Sequence, residues 1–289
     1  MIQDIAPWRL RIEFEPHSPA PGDFVFDFST DGLLLRQGEA LTFPTVTEWR
    51  QIHEQDNNAS LIFAFRFEHE LDEGREMRFF LVRRPTSCTP LPAQEGWERI
   101  PARALWGYGW GWPAFAGITA FHIHNWYESR RFCGRCGTAT RPGDKERSLV
   151  CPQCGAVEYP SIPPSVLTAV TDGDRLLLTR YNRPGASRYV LVAGYVEAGE
   201  TAEQAAIREV MEETGVRIKN LRYLGSQPWG LSGTLSLAFA AELDGSDKIV
   251  CDQEELAEAL WMKRDDIPPV PNEESITMKI IAAFRRGDW

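Results

Sequence analysis

Three glutamates, Glu209, Glu212 and Glu213, lie within five consecutive residues. If this segment is helical, the spacing i, i+3 and i+4 places all three carboxylates on one face. Like charges at these positions repel one another, so a helix gains no stability from the arrangement. A divalent cation removes the conflict. Hard carboxylate oxygens suit Mg²⁺ or Mn²⁺, which in turn bind phosphate oxygens and neutralise charge when water attacks phosphorus.

The residues around the glutamates carry signals for both ends of a helix. Thr201 and Gln204 form a capping-box pair, and Gly215 stands where a helix would end in a left-handed conformation. We therefore expect a helix over residues 202–214. A solvated acidic helix face is the alternative interpretation. The coincidence of loop glycines, cap, Arg208 and three glutamates argues against it.

Four of the six cysteines form two CxxC pairs, Cys133 with Cys136 and Cys151 with Cys154, separated by fourteen residues. Two tight turns at this spacing present four thiolates to one tetrahedral ion, for which zinc is expected. Such a site has no open coordination position, so we expect the zinc to be structural. Two disulfides or four free thiols are the alternatives, and nucleic-acid binding is a second role open to such a ribbon.

Composition and charge narrow the class of protein. The 289 residues suffice for two domains or for one large domain with an insertion. The formal net charge of -10 disfavours loose binding to nucleic acid, which requires a basic surface. The sequence contains no secretory pattern and no apolar run long enough to cross a bilayer, so we expect a cytoplasmic protein without a membrane partner.

The pattern of apolar residues predicts an α+β protein with three regions. Residues 1–128 are expected to form a β-rich N-terminal domain, with a hairpin made by residues 61–67 and 79–82. Residues 129–161 are the four-cysteine zinc ribbon. Residues 162–289 form an α+β domain, with two strands joined by a turn at Asp172-Gly173 and further strands near residues 221–224 and 235–243.

The segment from Gly194 to Val216 resembles the Nudix signature Gx5Ex7REUxEExGU, where U is an apolar residue, at every position. The resemblance implies an α/β/α sandwich around a mixed sheet. It also implies hydrolysis of a nucleoside diphosphate linked to another moiety. The implied Mg²⁺ or Mn²⁺ ligands are Glu209, Glu212 and Glu213, and the residues implied to brace the loop and the helix are Glu200 and Arg208.

The order of N-terminal domain, zinc ribbon and Nudix domain is similar to that of the NADH pyrophosphatase branch. That branch carries SQPWPFPxS after the signature; here residues 226–229 match and residues 230–234 depart. The resemblance implies hydrolysis of NADH or NAD⁺ to nicotinamide mononucleotide and AMP, and removal of NAD caps from RNA. It further implies a homodimer in which Tyr159 reaches the pocket from a second subunit. The implied substrate-binding residues are Tyr159, Tyr195, Ser226, Gln227 and Trp229. The rings of the two tyrosines and the tryptophan can stack on a base.

The same branch supplies another acidic metal ligand from a helix, and residues 252–261 have the corresponding pattern with Glu255 at the ligand position. A glutamate on a solvated helix is the alternative interpretation. Glu213 and Glu255 are competing candidates for the general base that activates water, and Glu212 and Arg208 complete the catalytic set.

The departure after Trp229 leaves two alternatives to NADH hydrolysis. Another dinucleotide or a nucleotide sugar is the second candidate substrate. A nucleotide-sensing Nudix protein without turnover is the candidate from a different functional class, against which the intact set of glutamates argues.

Overall fold

Regular secondary structure extends along most of the chain in a computed structural model, which describes residues 1–15, 17–54, 58–85, 94–109, 111–185, 187–270 and 272–288. Cys88 and Trp289 lie outside the described residues. The chain divides into two units. The first unit comprises residues 2–161 and 230–232, and the second comprises residue 1 with residues 162–229 and 233–289.

Strands dominate the first unit. Its elements in chain order are β1 (Trp8–Arg11), β2 (Phe24–Phe26), β3 (Phe28–Ser29), β4 (Gly32–Arg36), α1 (Val46–Ile52), β5 (Ser60–His69), β6 (Glu76–Arg83), β7 (Trp97–Ile100), a 3-10 helix (Ala102–Tyr108), α2 (Trp112–Ser129), β8 (Arg141–Pro142), β9 (Leu149–Val150) and β10 (Val157–Glu158). Strands β5 and β6 pair in an antiparallel manner, which confirms the predicted hairpin. They form one sheet in the order β1-β5-β6-β2, while β3-β4-β7 and β10-β9-β8 form two smaller sheets.

Helix α2 was not predicted from the sequence. Most of its side chains are apolar, so no polar face marks the helical period. Phe115, Ala116 and Ile118 are buried with strand residues such as Phe65 and Phe79 in one apolar cluster. Burial on several sides therefore holds a helix whose sequence lacks an amphipathic pattern.

The second unit is built on a six-stranded mixed sheet. Its elements in chain order are β11 (Pro164–Asp172), β12 (Arg175–Tyr181), β13 (Val192–Tyr195), α3 (Ala202–Thr214), β14 (Ile218–Trp229), β15 (Thr234–Leu243), β16 (Leu256–Lys263), a 3-10 helix (Arg264–Asp266) and α4 (Ile276–Arg286). The strand order is β14-β15-β11-β12-β16, and β13 pairs with β11. Strands β11 and β15 are parallel and the other pairs are antiparallel. The predicted hairpin around Asp172-Gly173 is confirmed.

Alternate side chains of the central strands face opposite sides of this sheet, as the pleat requires. One face is buried against α4 through the cluster Ala169, Leu176, Leu178, Ile280 and Phe284. The other face is buried against α3 through the cluster Val170, Leu177, Val192 and Val210. One helix on each face makes this unit an α/β/α sandwich, and the α+β class is confirmed.

No helix in the part of the chain that the structure describes combines the length and the apolar composition needed to cross a bilayer.

Candidate active site

Helix α3 begins and ends where the sequence predicts. The Thr201 side chain accepts a hydrogen bond from the Gln204 backbone, and the Gln204 side chain accepts one from the Thr201 backbone. At the other end Gly215 has a φ of 68°, and its N–H donates to the Met211 carbonyl. Because glycine has no Cβ, it adopts the left-handed conformation at little cost in free energy. The helix therefore ends directly after the glutamates.

The Arg208 guanidinium ties the loop before α3 to the helix. Its Nε and Nη2 donate to the two Glu200 carboxylate oxygens at 2.9 Å each, and Nη2 also donates to the Tyr195 carbonyl at 2.9 Å. Its Nη1 donates to Glu209 at 2.7 Å and to Glu212 at 2.9 Å. These bonds raise the pKa of Arg208, and the bond from Arg208 lowers the pKa of Glu200. Arg208 therefore fixes both the loop and two of the carboxylates.

Glu209 is held close to the sheet. Its side chain is 13% exposed, and a methyl group added to Gly194 on β13 would overlap its carboxylate. Burial raises the pKa of Glu209, although Arg208 acts in the opposite direction. The glycine that opens the signature thus makes room for the first glutamate.

Glu213 is the most buried member of the set. It is 3% exposed, and neither carboxylate oxygen has a hydrogen-bond partner among the described residues. Burial, followed by the nearby charges of Glu209, Glu255, Asp252 and Glu212, raises its pKa to about 8. A buried carboxylate without a donor is unstable as an anion, so this group requires either a proton or a cation.

Glu212 differs from Glu213 in its surroundings. Its side chain is 59% exposed, with Arg208 as its ion-pair partner. The set therefore spans the range from buried to solvent-facing carboxylates, all within one turn and a half of α3.

The prediction that Glu255 lies on a helix is wrong. Residues 253–255 form a turn, and strand β16 follows at Leu256. Pairing of β16 with β12 provides backbone hydrogen bonds that override the helical pattern of residues 252–261. The Asn182 N–H donates to the Glu255 carbonyl, and the Asp252 N–H donates to the Glu213 carbonyl, both at the ends of neighbouring elements. Glu255 is still close enough to raise the pKa of Glu213.

The predicted pocket residues of the second unit have unlike environments. Tyr195 ends β13 and is 52% exposed, whereas Trp229 ends β14 and is half-buried, as is Ser226. Gln227 is buried: its Nε2 donates to the Glu274 carbonyl at 3.1 Å and its Oε1 accepts from the Ile276 N–H at 2.8 Å. These two bonds hold the Gln227 side chain against the start of α4, and a contact between Gln227 and substrate stays a prediction.

Tyr159 belongs to the first unit. The residue is 56% exposed, and its hydroxyl donates to Glu146 at 2.6 Å. That hydrogen bond raises the pKa of Tyr159.

The four cysteines of the two CxxC pairs come together in the first unit. Their sulfur atoms all lie within 4.8 Å of one another, and the Cys133–Cys154, Cys136–Cys151 and Cys136–Cys154 separations are 3.6, 3.5 and 3.6 Å. A tetrahedral zinc with bonds of about 2.3 Å has sulfur–sulfur edges of about 3.8 Å. A disulfide requires about 2.05 Å, so the thiols fit an ion and not two disulfides. Among the described residues, no other group of three or more potential ligands is gathered this closely.

One residue beside the glutamates was missed by the sequence analysis. Tyr181 ends β12, and burial together with the charges of Glu213, Glu255 and Glu209 raises its pKa to about 12. No local pattern marks this tyrosine, because the packing of α3 on the sheet that contains β12 brings the two elements together.

Two segments of the chain match known domain families. Residues 162–284 match the NUDIX domain, and residues 128–159 match the NADH pyrophosphatase zinc ribbon domain. The NAD-capped RNA hydrolase NudC of Pseudomonas aeruginosa (strain LESB58) is 44% identical over 165 residues, which are 57% of this chain and 59% of that protein. The protein of the same name from Enterobacter sp. (strain 638) is 42% identical over 170 residues, which are 58% of this chain and 66% of that protein.

The alignments with these relatives span less than two thirds of each relative's length. A crystal structure of a NUDIX hydrolase from Nitrosomonas europaea is similar with a TM-score of 0.44 and 22% identity, covering 54% of this chain and 90% of that chain. The two matched segments have the predicted order along the chain. The protein therefore contains a NUDIX domain, preceded by an NADH pyrophosphatase zinc ribbon domain.

Proposed function

We propose that this protein hydrolyses the pyrophosphate bond of NADH or NAD⁺ to nicotinamide mononucleotide and AMP, and that it removes NAD caps from RNA. The observation that carries the proposal is the set of three carboxylates on α3, two of them bound by Arg208, within a NUDIX domain. The names of relatives that are 42–44% identical support the choice of an NAD-derived substrate.

Glu209, Glu212, Glu213 and Glu255 would hold Mg²⁺ or Mn²⁺. The fit rests on the chemistry of the donors, because carboxylate oxygens are the ligands these ions prefer and both Glu213 oxygens are buried without a hydrogen-bond partner among the described residues. When bound, such ions neutralise charge on the diphosphate oxygens and so lower the barrier to attack at phosphorus. The four cysteines would hold a structural Zn²⁺.

The protein side chains have separate tasks in the proposed reaction. A water oxygen forms a bond to one phosphorus, the bridging P–O bond breaks, and the other phosphate leaves with the bond electrons. A carboxylate accepts the proton of the water. Glu213 and Glu255 both remain candidates, the first buried and the second exposed in its turn. Arg208 keeps Glu209 and Glu212 in place.

Substrate rings would stack on Tyr195 and Trp229, with Ser226 on the same strand as Trp229. A homodimer in which Tyr159 contributes to the partner's pocket, and a cytoplasmic location, belong to the same proposal. The oligomeric state and the KM for NADH are measured for the wild type and for a Tyr159→Ala variant, the first by sedimentation. A dimeric variant with a raised KM would assign Tyr159 to the pocket, and a monomeric variant would assign it to the dimer interface.

The test is a comparison of substrates under one metal condition. NADH, NAD⁺, ADP-ribose, a nucleotide sugar and NAD-capped RNA are each incubated with Mn²⁺ or Mg²⁺, and release of mononucleotide is measured. We expect NADH or NAD⁺ to be cleaved, with losses of at least a hundredfold in Glu212→Gln and Glu213→Gln. Glu203→Gln is the matched control, because Glu203 is an exposed residue in the first turn of the same helix.

Three outcomes would contradict the proposal in different ways. Preferential cleavage of ADP-ribose or of the nucleotide sugar would show that this compound, and not NADH or NAD⁺, is the preferred substrate. Tight binding without turnover of any compound would favour the nucleotide-sensing alternative. Full activity in both glutamine variants would show that the chemistry takes place elsewhere.

A further inference from the structure

Arg183 follows strand β12 and stacks on the last residue of that strand. Its guanidinium carbon lies 4.8 Å from the centroid of the Tyr181 ring. Arg183 is exposed, so its guanidinium is accessible to solvent while it lies over the ring. Stacking of this kind orients a guanidinium group without using its five N–H donors.

The same segment of chain borders the glutamates. Burial and the charges of Glu213, Glu255 and Glu209 raise the pKa of Tyr181, and the charge of Arg183 lowers it. Asn182, between the two stacked residues, is bound to the turn of Glu255: its N–H donates to the Glu255 carbonyl at 2.8 Å, and its Nδ2 donates to the Gln253 carbonyl at 3.0 Å. These hydrogen bonds therefore tie the segment that carries Arg183 to the turn of Glu255.

Arg183 nevertheless forms no ion pair with a carboxylate among the described residues. Arg208, the other arginine at this site, is fully engaged by Glu200, Glu209 and Glu212. A diphosphate brings additional negative charge to a site that is already rich in carboxylates. A planar guanidinium that is oriented but unpaired is suited to bind two phosphate oxygens at once.

We propose that Arg183 binds the diphosphate group of the dinucleotide substrate and thereby determines substrate affinity. The inference rests on the proposed function of this site. Arg183 supplies the positive charge that the carboxylates themselves cannot supply, and the Tyr181 ring sets its direction.

The experiment compares Arg183→Ala and Arg183→Lys with Arg188→Ala. Arg188 lies in the same loop, is exposed, and is 4.0 Å from Glu274, so it controls for loss of a loop arginine. Loss of a charged hydrogen bond predicts a ten- to hundredfold higher KM for the dinucleotide in Arg183→Ala. Arg183→Lys should fall between the alanine variant and the wild type, and Arg188→Ala should remain within about twofold of the wild type.

Two further readouts separate phosphate binding from a structural role. Millimolar guanidinium should partly restore the KM of Arg183→Ala and should not affect Arg188→Ala. The Mn²⁺ affinity of Arg183→Ala, measured by electron paramagnetic resonance without nucleotide, should equal or exceed that of the wild type, because removal of a cation does not weaken cation binding. Weaker Mn²⁺ binding, absence of rescue, or an unchanged KM would overturn the inference.

Binding of ADP to the Mn²⁺-loaded protein, measured by calorimetry, tests Arg183 without turnover. If the wild type hydrolyses no dinucleotide, the proposed function fails while the ADP measurement still decides the role of Arg183. If the wild type is active and Arg183→Ala binds ADP as the wild type does, the present inference alone fails.

Discussion

Replacing Glu213 by glutamine should stabilise the protein while it removes activity. The glutamate is 3% exposed, and neither of its oxygens has a hydrogen-bond partner among the described residues. Its pKa rises from the ordinary value of 4.5 to about 8, chiefly because of burial. The folded protein therefore retains a proton that the unfolded chain releases above pH 4.5. The contribution of Glu213 to the free energy of unfolding is complete below pH 4.5 and is lost as the pH rises through 8.

The size of the effect follows from the two pKa values. Each tenfold change in an acid dissociation constant corresponds to about 1.4 kcal/mol, so the full loss is about 5 kcal/mol and the loss reached by pH 7 is about 3 kcal/mol. Glutamine resembles the neutral carboxyl in size and does not ionise. In buffer free of Mg²⁺ and Mn²⁺, the Glu213→Gln variant should thus keep its stability between pH 5 and pH 8 while the wild type loses it.

The assay is urea denaturation followed by circular dichroism, at a series of pH values and with zinc retained. Addition of Mn²⁺ at pH 8 should stabilise the wild type and have little effect on the variant, since a bound cation replaces the proton of Glu213. Glu203→Gln, on the exposed side of the same helix, should follow the wild-type curve. A Glu213→Gln curve parallel to that of the wild type, or lower stability of this variant at pH 8, would refute the reasoning.

Three other substitutions test the architecture of the protein. Gly194→Ala should displace the Glu209 carboxylate and weaken Mn²⁺ binding about tenfold or more in a paramagnetic resonance titration, with the circular dichroism spectrum unchanged. Gln227→Ala should lower the free energy of unfolding by about 1–3 kcal/mol, because it leaves the Ile276 N–H unpaired. We expect its KM for NADH to change less than twofold. A large rise in KM would indicate that Gln227 contacts the substrate directly. Cys151→Ser should abolish binding of about one zinc ion per chain, measured by atomic absorption, and destabilise the ribbon; retention of zinc would exclude the four-cysteine site.

Sequence analysis succeeded where local interactions decide the structure. The bounds of α3 followed from Thr201, Gln204 and Gly215, which act within one turn of the residues they cap. The gathering of the cysteines followed from their spacing in two tight turns. Sequence patterns failed where distant segments compete: residues 252–261 read as a helix, yet pairing with β12 makes most of them a strand.

The sequence by itself determined the chemistry that this protein carries: three carboxylates at helical spacing, four thiols in two turns, and an arginine before the glutamates. These features depend on residues close together in the chain, and short-range geometry places them. The tertiary structure alone decided how the groups differ in energy and in partners. Packing of α3 on the sheet buries Glu213 and leaves Glu212 in solvent, and the pairing of β12 with β16 brings Tyr181 beside the turn that carries Glu255. Burial and proximity between distant segments depend on every element of the sandwich, so no short stretch of sequence encodes them.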